Sequence, residues 1–162
     1  MVLIDLAELL ALAAGTDAFS QPELDVLKEV LEKSTHIENS PIDGTVPDYI
    51  LIEERVENKA VGFVIFGRVP MTRSSWDIYW IATRRDLQGR GIGRALIRKV
   101  EDYLRARDVF AQVRLETSSR KDYDNTRIFY AKAGFVEAGR IADFYSQDDS
   151  LVIFSKKVEP VL

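Results

Sequence analysis

Leu6, Leu9, Leu10 and Ala13 fall on one face of a helix, and Gly15 is a natural stop. Ser20 and Glu23 then have capping-box spacing, with Pro22 in the first turn. Leu24, Leu27, Val30 and Leu31 follow as an apolar stripe, so the pattern predicts a helix over 21–33. Residues 34–47 are rich in Ser, Thr, Asn, Gly and Pro and read as a loop, with His36 expected in solvent. The period then changes. Residues 48–56 and 60–69 flank Glu57-Asn58-Lys59 as a hairpin, and 76–83 is a third β-branched and aromatic run. A glycine-rich turn leads into an amphipathic helix. Ile92, Leu96, Val100, Tyr103 and Leu104 share one face of it; Arg94, Arg98, Asp102 and Arg105 share the other. Residues 112–117 read as a strand, and 126–133 as a short helix closed by Gly134. Residues 135–141 and 151–158 read as two last strands joined through 143–149. With no repeat and no linker, residues 1–162 form one domain, a mixed α/β sheet with helices on its faces.

Composition narrows the chemistry. A chain of 162 residues buries about two-thirds of its unfolded surface. Its net charge of −4 argues against a dedicated nucleic-acid binder. The absence of Cys excludes thiolate nucleophiles and zinc–thiolate sites, and a single His leaves no His-rich metal site, so no metal is expected. The longest apolar run, 60–67, is far short of a membrane span, and no basic flank marks a signal peptide. A cytoplasmic protein without a membrane partner is the expectation. Asp, Glu, Tyr, Ser, Lys, Arg and backbone amides remain to carry any reaction.

The most informative stretch is Gln88-Gly89-Arg90-Gly91-Ile92-Gly93-Arg94. Three alternating glycines between a strand and a helix let backbone amides approach a ligand, and a helix N-terminus attracts anions. Six basic residues against one acid from 84 to 99 reverse the sign of the whole chain and suggest a polyanion. A Walker A loop is absent, and Arg94 stands where a dinucleotide loop needs its last glycine. Spacing alone also permits a tight turn with a solvated basic face.

Gln-x-x-Gly-x-Gly after Ile81-Ala82-Thr83 resembles the acyl-CoA motif of the GNAT family of N-acetyltransferases. Leu115-Glu116-Thr117 is similar to that family's fifth strand, and Phe129 to Phe135 (Phe-Tyr-Ala-Lys-Ala-Gly-Phe) to its last motif. Together these span about residues 48–158. The resemblance implies a mostly antiparallel sheet splayed into a V between the strands of Ile81 and Val113. It implies acetyl-CoA as cosubstrate, with its pyrophosphate on Gln88, Gly89, Arg90, Gly91, Ile92, Gly93 and Arg94. The pantetheine arm would pair with the backbone of Ile81, Ala82 and Thr83 like an added strand. The chain departs from the family twice. Only residues 2–4 could supply a strand before the first helix, so that strand is short or missing. The family's Asn seven residues before the helix Tyr is here Tyr123, leaving Asn125 as the displaced candidate for coenzyme contact.

Acetyl transfer to an amine needs a neutral nucleophile, donors for an oxyanion and a proton for the thiolate. By resemblance, Tyr130 lies at the acetyl sulfur as general acid and coenzyme contact; a core Tyr is the plainer alternative. Glu116, near the end of an apolar strand, is costly unless functional or paired with Arg114 or Lys121, and is the first candidate base. Asp77 is the second. Period-two alternation puts Asp77, Tyr79, Ile81 and Thr83 on one face and Trp76, Ile78, Trp80 and Ala82 on the other. A backbone amide near Ile81 or Ala82 is the expected oxyanion donor, and Phe63 and Trp80 are expected in the core. Tyr79, Asp143 and Tyr145 are candidates to meet the amine acceptor, a small molecule or peptide. The chain is expected to act as a monomer or homodimer. A non-catalytic acyl-CoA-binding domain of the same fold is the alternative reading.

Overall fold

The N-terminal helices begin where their capping residues stand. In this computed structural model, which describes residues 1–41, 43–107 and 110–160, α1 (Leu6–Gly15) starts at Asp5, whose carboxylate accepts the Glu8 N–H at 3.0 Å. α2 (Gln21–Lys33) starts at Ser20. The Ser20 hydroxyl accepts the Glu23 N–H at 3.4 Å and the Glu23 carboxylate accepts the Ser20 N–H at 2.7 Å, the reciprocal pair expected.

The 34–47 stretch is not all loop. β1 (Thr35–His36) pairs parallel with the start of β2 (Ile50–Val56), and a 3-10 turn follows at Ile37–Asn39. His36 is therefore buried, at 8% exposure, with Nδ1 accepting the Glu38 N–H at 3.3 Å. A two-residue strand is too short for alternation to reveal it. Residues 2–4 form no strand. The Asn39 side chain instead holds both backbone groups of Val2, at 2.9 and 2.6 Å.

β3 (Lys59–Arg68) returns from β2 through Glu57 and Asn58, both at positive φ (49° and 63°), as a tight hairpin of this hand requires. β4 (Ser75–Thr83), α3 (Ile92–Arg105), β5 (Ala111–Ser118), α4 (Asp124–Lys132), β6 (Val136–Ser146) and β7 (Asp149–Val158) complete the chain. The sheet order is β1-β2-β3-β4-β5-β7-β6, parallel at β1–β2 and β4–β5 and antiparallel elsewhere. Leu96, Val100 and Leu104 of α3 share one buried cluster with Val64, Phe66 and Val113. Leu9, Leu27 and Leu31 of α1 and α2 share a second with Leu51, Phe63 and Ile65. Phe63 is fully buried, and Trp80 packs half-buried against that second cluster.

Three local features shape the site. First, β4 and β5 pair at three positions only, Ser75↔Gln112, Trp76↔Val113 and Asp77↔Arg114, and then part. β5 pairs with β7 along its whole length, so the sheet opens as a V. Second, the alternation expected along β4 is broken. Ile65 pairs with Trp80 and Phe66 with Ile78, leaving Tyr79 as the extra residue of a β-bulge. Beyond it the phase flips: Ile81 packs on the α3 side, whereas Trp80 and Ala82 face α1 and α2. Asp77 and Ile81 are therefore not on one face. Third, residues 143–149 are not a loop. β6 runs on to Ser146, and only Gln147 and Asp148 separate it from β7. The ladder jumps from Ile141↔Leu151 to Ser146↔Asp149, so the intervening residues of β6 bulge out.

Gly67 gives a direct check on this packing. A Cβ there would lie 2.0 Å from the Asp48 carbonyl oxygen, whereas at Gly139 it would meet nothing within 4 Å. Gly67→Ala is expected to cost about 2 kcal/mol in urea unfolding, and Gly139→Ala less than about 0.5 kcal/mol.

Candidate active site

The N-terminus of α3 differs from those of α1 and α2. Its cap is Gly91, at φ 85°, which offers no side-chain acceptor, and no acid lies in its first turn. The N–H groups of Ile92, Gly93 and Arg94 therefore have no intrahelical partner. The left-handed cap costs glycine little and leaves open space where a Cβ would stand. The Gln88 side chain donates to the Thr83 carbonyl at 3.4 Å, closing the turn on the end of β4. The basic cluster divides in two. Arg84 and Lys99 pair with Asp86 and Glu54 at 2.7 Å, and Arg85 pairs with Asp17. Arg90, Arg94 and Arg98 are exposed, and among the described residues none has a carboxylate within ion-pair distance; Arg90 acts on Asp86 only at longer range.

Gly93 serves a different purpose. A Cβ there would lie 3.0 Å from the Phe129 ring, so its absence lets α3 approach α4. The next residue of α4, Tyr130, is buried among the rings of Phe129, Phe135 and Phe154, with centroids 5.4, 6.1 and 5.9 Å away. Burial pushes its phenol up to about 12. The alternative of a core Tyr thus describes its ring accurately. Lys156 fastens the end of this nine-residue helix, donating to the Ala133 carbonyl at 2.7 Å while pairing with Glu101 of α3. Asn125 lies exposed in the first turn of α4, and Tyr123 is its N-cap residue.

The carboxylates occupy the opposite face. Asp77 accepts two hydrogen bonds from Arg114, from Nε at 2.8 Å and Nη2 at 2.7 Å. The remaining Nη1 is 3.9 Å from Glu116, whose side chain is 43% exposed. Arg114 thus gives its close contacts to Asp77, and its guanidinium is raised chiefly by that bond. Tyr79 packs edge-on against Tyr49 at 5.3 Å; its phenol is raised by burial first and by Asp77 second. Tyr145 is raised by burial, then by Glu116 and Asp149, which brings the β6–β7 tip and the end of β5 together. Asp143 stays exposed, its carboxylate accepting the Asp148 N–H at 2.8 Å across the tip.

Two further members of this wall are Asp149, from the acidic segment between the last two strands, and Tyr123, which stands where the family has its Asn. Asp149 is buried and takes a hydrogen bond from the Ser118 hydroxyl. Tyr123 is raised by burial and then by Glu23 of α2. Only the tertiary fold brings α2, β5, α4 and the β6–β7 tip together, so no local pattern shows the contacts these two make. A separate concavity of about 540 Å³, lined by α1 and Arg84–Asp86 among others, contains none of the candidate catalytic groups.

The acetyltransferase (GNAT) domain family matches residues 47–137. An acetyltransferase described as of the GNAT family from Desulfovibrio desulfuricans superposes with a TM-score of 0.85 at 28% identity, over 98% of this chain and 96% of that one. The ribosomal-protein-S18-alanine N-acetyltransferase of Escherichia coli gives 0.72 at 20% identity, over 100% and 93%. An aminoglycoside 6′-N-acetyltransferase complexed with coenzyme A gives 0.70 at 15% identity, over 97% and 92%. No curated protein matches the chain. The family match takes in the hairpin, the parting strands, the glycine turn and α4, and with more than half of its length so matched the chain belongs to the GNAT acetyltransferase family.

Proposed function

We propose that this protein transfers an acetyl group from acetyl-CoA to a primary amine by direct attack. The observation that carries the reading is the bare N-terminus of α3, with no side-chain cap and no acid in its first turn, beside three arginines that have no ion pair among the described residues, and the parting of β4 and β5. That arrangement suits a pyrophosphate: amides point at it, the helix end favours negative charge, and Arg90, Arg94 and Arg98 add screened attraction. Gln88 and Gly89 shape the turn that presents these amides. Along the open edge of β4, alternate backbone groups of residues 78–83 lack a ladder partner. Ile81, Ala82 and Thr83 can therefore pair with an extended amide-bearing arm. The amide of Ile81 or Ala82 is the proposed oxyanion donor, with the bulge at Tyr79 setting its direction.

Glu116 is the proposed base, directly or through water, because both oxygens of Asp77 are already engaged by Arg114. The proton leaving the attacking nitrogen passes to Glu116, and the departing thiolate is stabilised by a hydrogen bond from the Tyr130 hydroxyl and takes its own proton from solvent as it leaves. An acceptor ammonium would find Tyr79, Tyr145, Glu116 and Asp149 along the opposite wall, with Asp143 at the rim. A small-molecule or peptide amine fits this acidic and aromatic surface.

A phenol near 12 is a weaker acid than an ordinary thiol at about 8.5. Tyr130 therefore acts mainly as a hydrogen-bond donor to sulfur as charge develops. Tyr130→Phe is expected to slow single-turnover chemistry roughly ten- to hundredfold, the weak end of general catalysis, with coenzyme A affinity unchanged. Full-speed chemistry in that variant would remove Tyr130 from the mechanism. Raised this far, the phenol keeps its proton at every working pH, so an alkaline fall in rate below about pH 10 must persist in Tyr130→Phe.

Gly91→Val tests the anion site. The left-handed cap disfavours a Cβ by about 1–2 kcal/mol, so a branched residue there strains the turn that presents the amides. Calorimetry should show coenzyme A affinity reduced at least about tenfold while circular dichroism reports a folded chain; unchanged affinity would reject the loop assignment. Gly93 is the poorer choice, since substitution there strikes Phe129. Acetyl-CoA turnover with a panel of amines separates the enzyme from a domain that only binds acyl-CoA.

A further inference from the structure

The Asp77–Arg114 pair occupies the last register position before β4 and β5 separate, and Glu116 is the next residue outward on the same face of β5. We propose that Asp77 is a positioning residue that holds the Arg114 guanidinium at the vertex of the cleft, offsets most of its charge and limits its contact with Glu116 to one long ion pair. This rests on Glu116 as the base.

Arg114 spends Nε and Nη2 on Asp77 at 2.8 and 2.7 Å, a bidentate pair in which one full negative charge meets one positive charge. Its remaining corner, Nη1, lies 3.9 Å from Glu116, the outer limit of an ion pair, and a side-chain rotation would shorten that contact. The Asp77 side chain is 15% exposed and Arg114 is 45% exposed, so the carboxylate is the fixed member and the guanidinium the movable one. Freed from Asp77, Arg114 would turn to the nearest remaining carboxylate, which is Glu116. A carboxylate gripped by a guanidinium with no other anionic partner gives up its basicity, by about one to three pH units.

The other groups around Glu116 leave Arg114 in control. Tyr145 of the β6–β7 tip lies within electrostatic reach of Glu116 and of Asp149, and Tyr79 of β4 lies within reach of Arg114. Tyr123 and Glu23 lie beyond, on the N-terminus of α4 and on α2. None of these is a cation. Arg120, the nearest cation to Tyr123, is bonded to Asp122 at 2.8 Å. Asp77 therefore acts on the reaction through Arg114, without touching substrate.

The test is a carbon-detected NMR titration of the Glu116 carboxyl in the wild-type chain, D77N, R114Q and D77N/R114Q, alongside kcat/KM–pH profiles. In D77N the Glu116 midpoint should fall by about one pH unit and the acidic limb of kcat/KM should follow it down. The double variant should return both towards wild type, because the released cation is gone. In R114Q the midpoint should rise, since the Asp77 charge is then unmasked beside Glu116; this readout serves even if D77N does not fold. A midpoint unmoved in D77N and R114Q would overturn the positioning role. A midpoint that moves while the acidic limb stays put would instead remove Glu116 as the base, and with it the catalytic meaning of Asp77.

Discussion

The site depends on a strand pairing that stops early. β4 and β5 run parallel for three register positions and then separate, although each continues for several residues. Neither can swing back. β4 is held to β3 as far as Thr83, and β5 is held to β7 over all eight of its residues. Each strand beyond the vertex therefore keeps one satisfied edge and one open edge, inside a sheet whose faces are covered by helices. Unpaired backbone groups are costly when shielded from water and form a ready template for an extended ligand. The gap thus behaves as a missing strand, and a linear, amide-rich cosubstrate is the shape that completes it.

The helices around that gap are positioned by what they lack as much as by what they contact. α1 and α2 consume their own N-terminal charge with Asp5 and Ser20–Glu23. α3 leaves its end bare, and among the described residues no carboxylate lies within ion-pair distance of Arg90, Arg94 or Arg98. α4, only nine residues long, would be marginal in isolation. It is held from outside by the close approach at Gly93, by aromatic packing around Tyr130, and by Lys156 bridging Ala133 to Glu101. A single missing Cβ at Gly93 thus links the proposed anion site to the proposed hydrogen-bond donor.

Much of this was legible in the sequence because it is local. The capping box at Ser20, the hairpin at Glu57-Asn58, the stripe of α3 and the glycine turn each announce themselves within a few residues. The family resemblance supplied the V, which no periodicity could have given, since strand separation is a property of partners. The failures were non-local. The bulge at Tyr79 adds one residue with no compositional mark, and it silently reverses the faces of everything after it. β1 exists only because Ile50 and Leu51 offer it an edge, so His36 was misplaced in solvent. Asp143 to Tyr145 have loop-like composition, yet they lie in β6 where it bulges against β7. The pairing of Arg114 was also left open by the sequence: it could be foreseen as a partner of Glu116, whereas Asp77, one strand away, holds it more closely.

The two proposed catalytic groups sit in opposite surroundings, and the fold provides both from one sheet. Tyr130 lies on the α3 side among phenylalanine rings, where burial alone holds its proton. Glu116 lies on the other face, partly in solvent, beside a guanidinium already committed to Asp77. Separating a donor and an acceptor by environment is how a single scaffold keeps both in their working forms at one pH. Here the separation follows from the pleat: alternate residues of β5 face the core or the acceptor wall, so Leu115 can pack beneath Tyr130's cluster while Glu116 points away from it. A one-residue slip of β5 against β7 would exchange those faces. The eight-residue β5–β7 ladder, which holds the V open, is therefore also what fixes the face on which the proposed base stands.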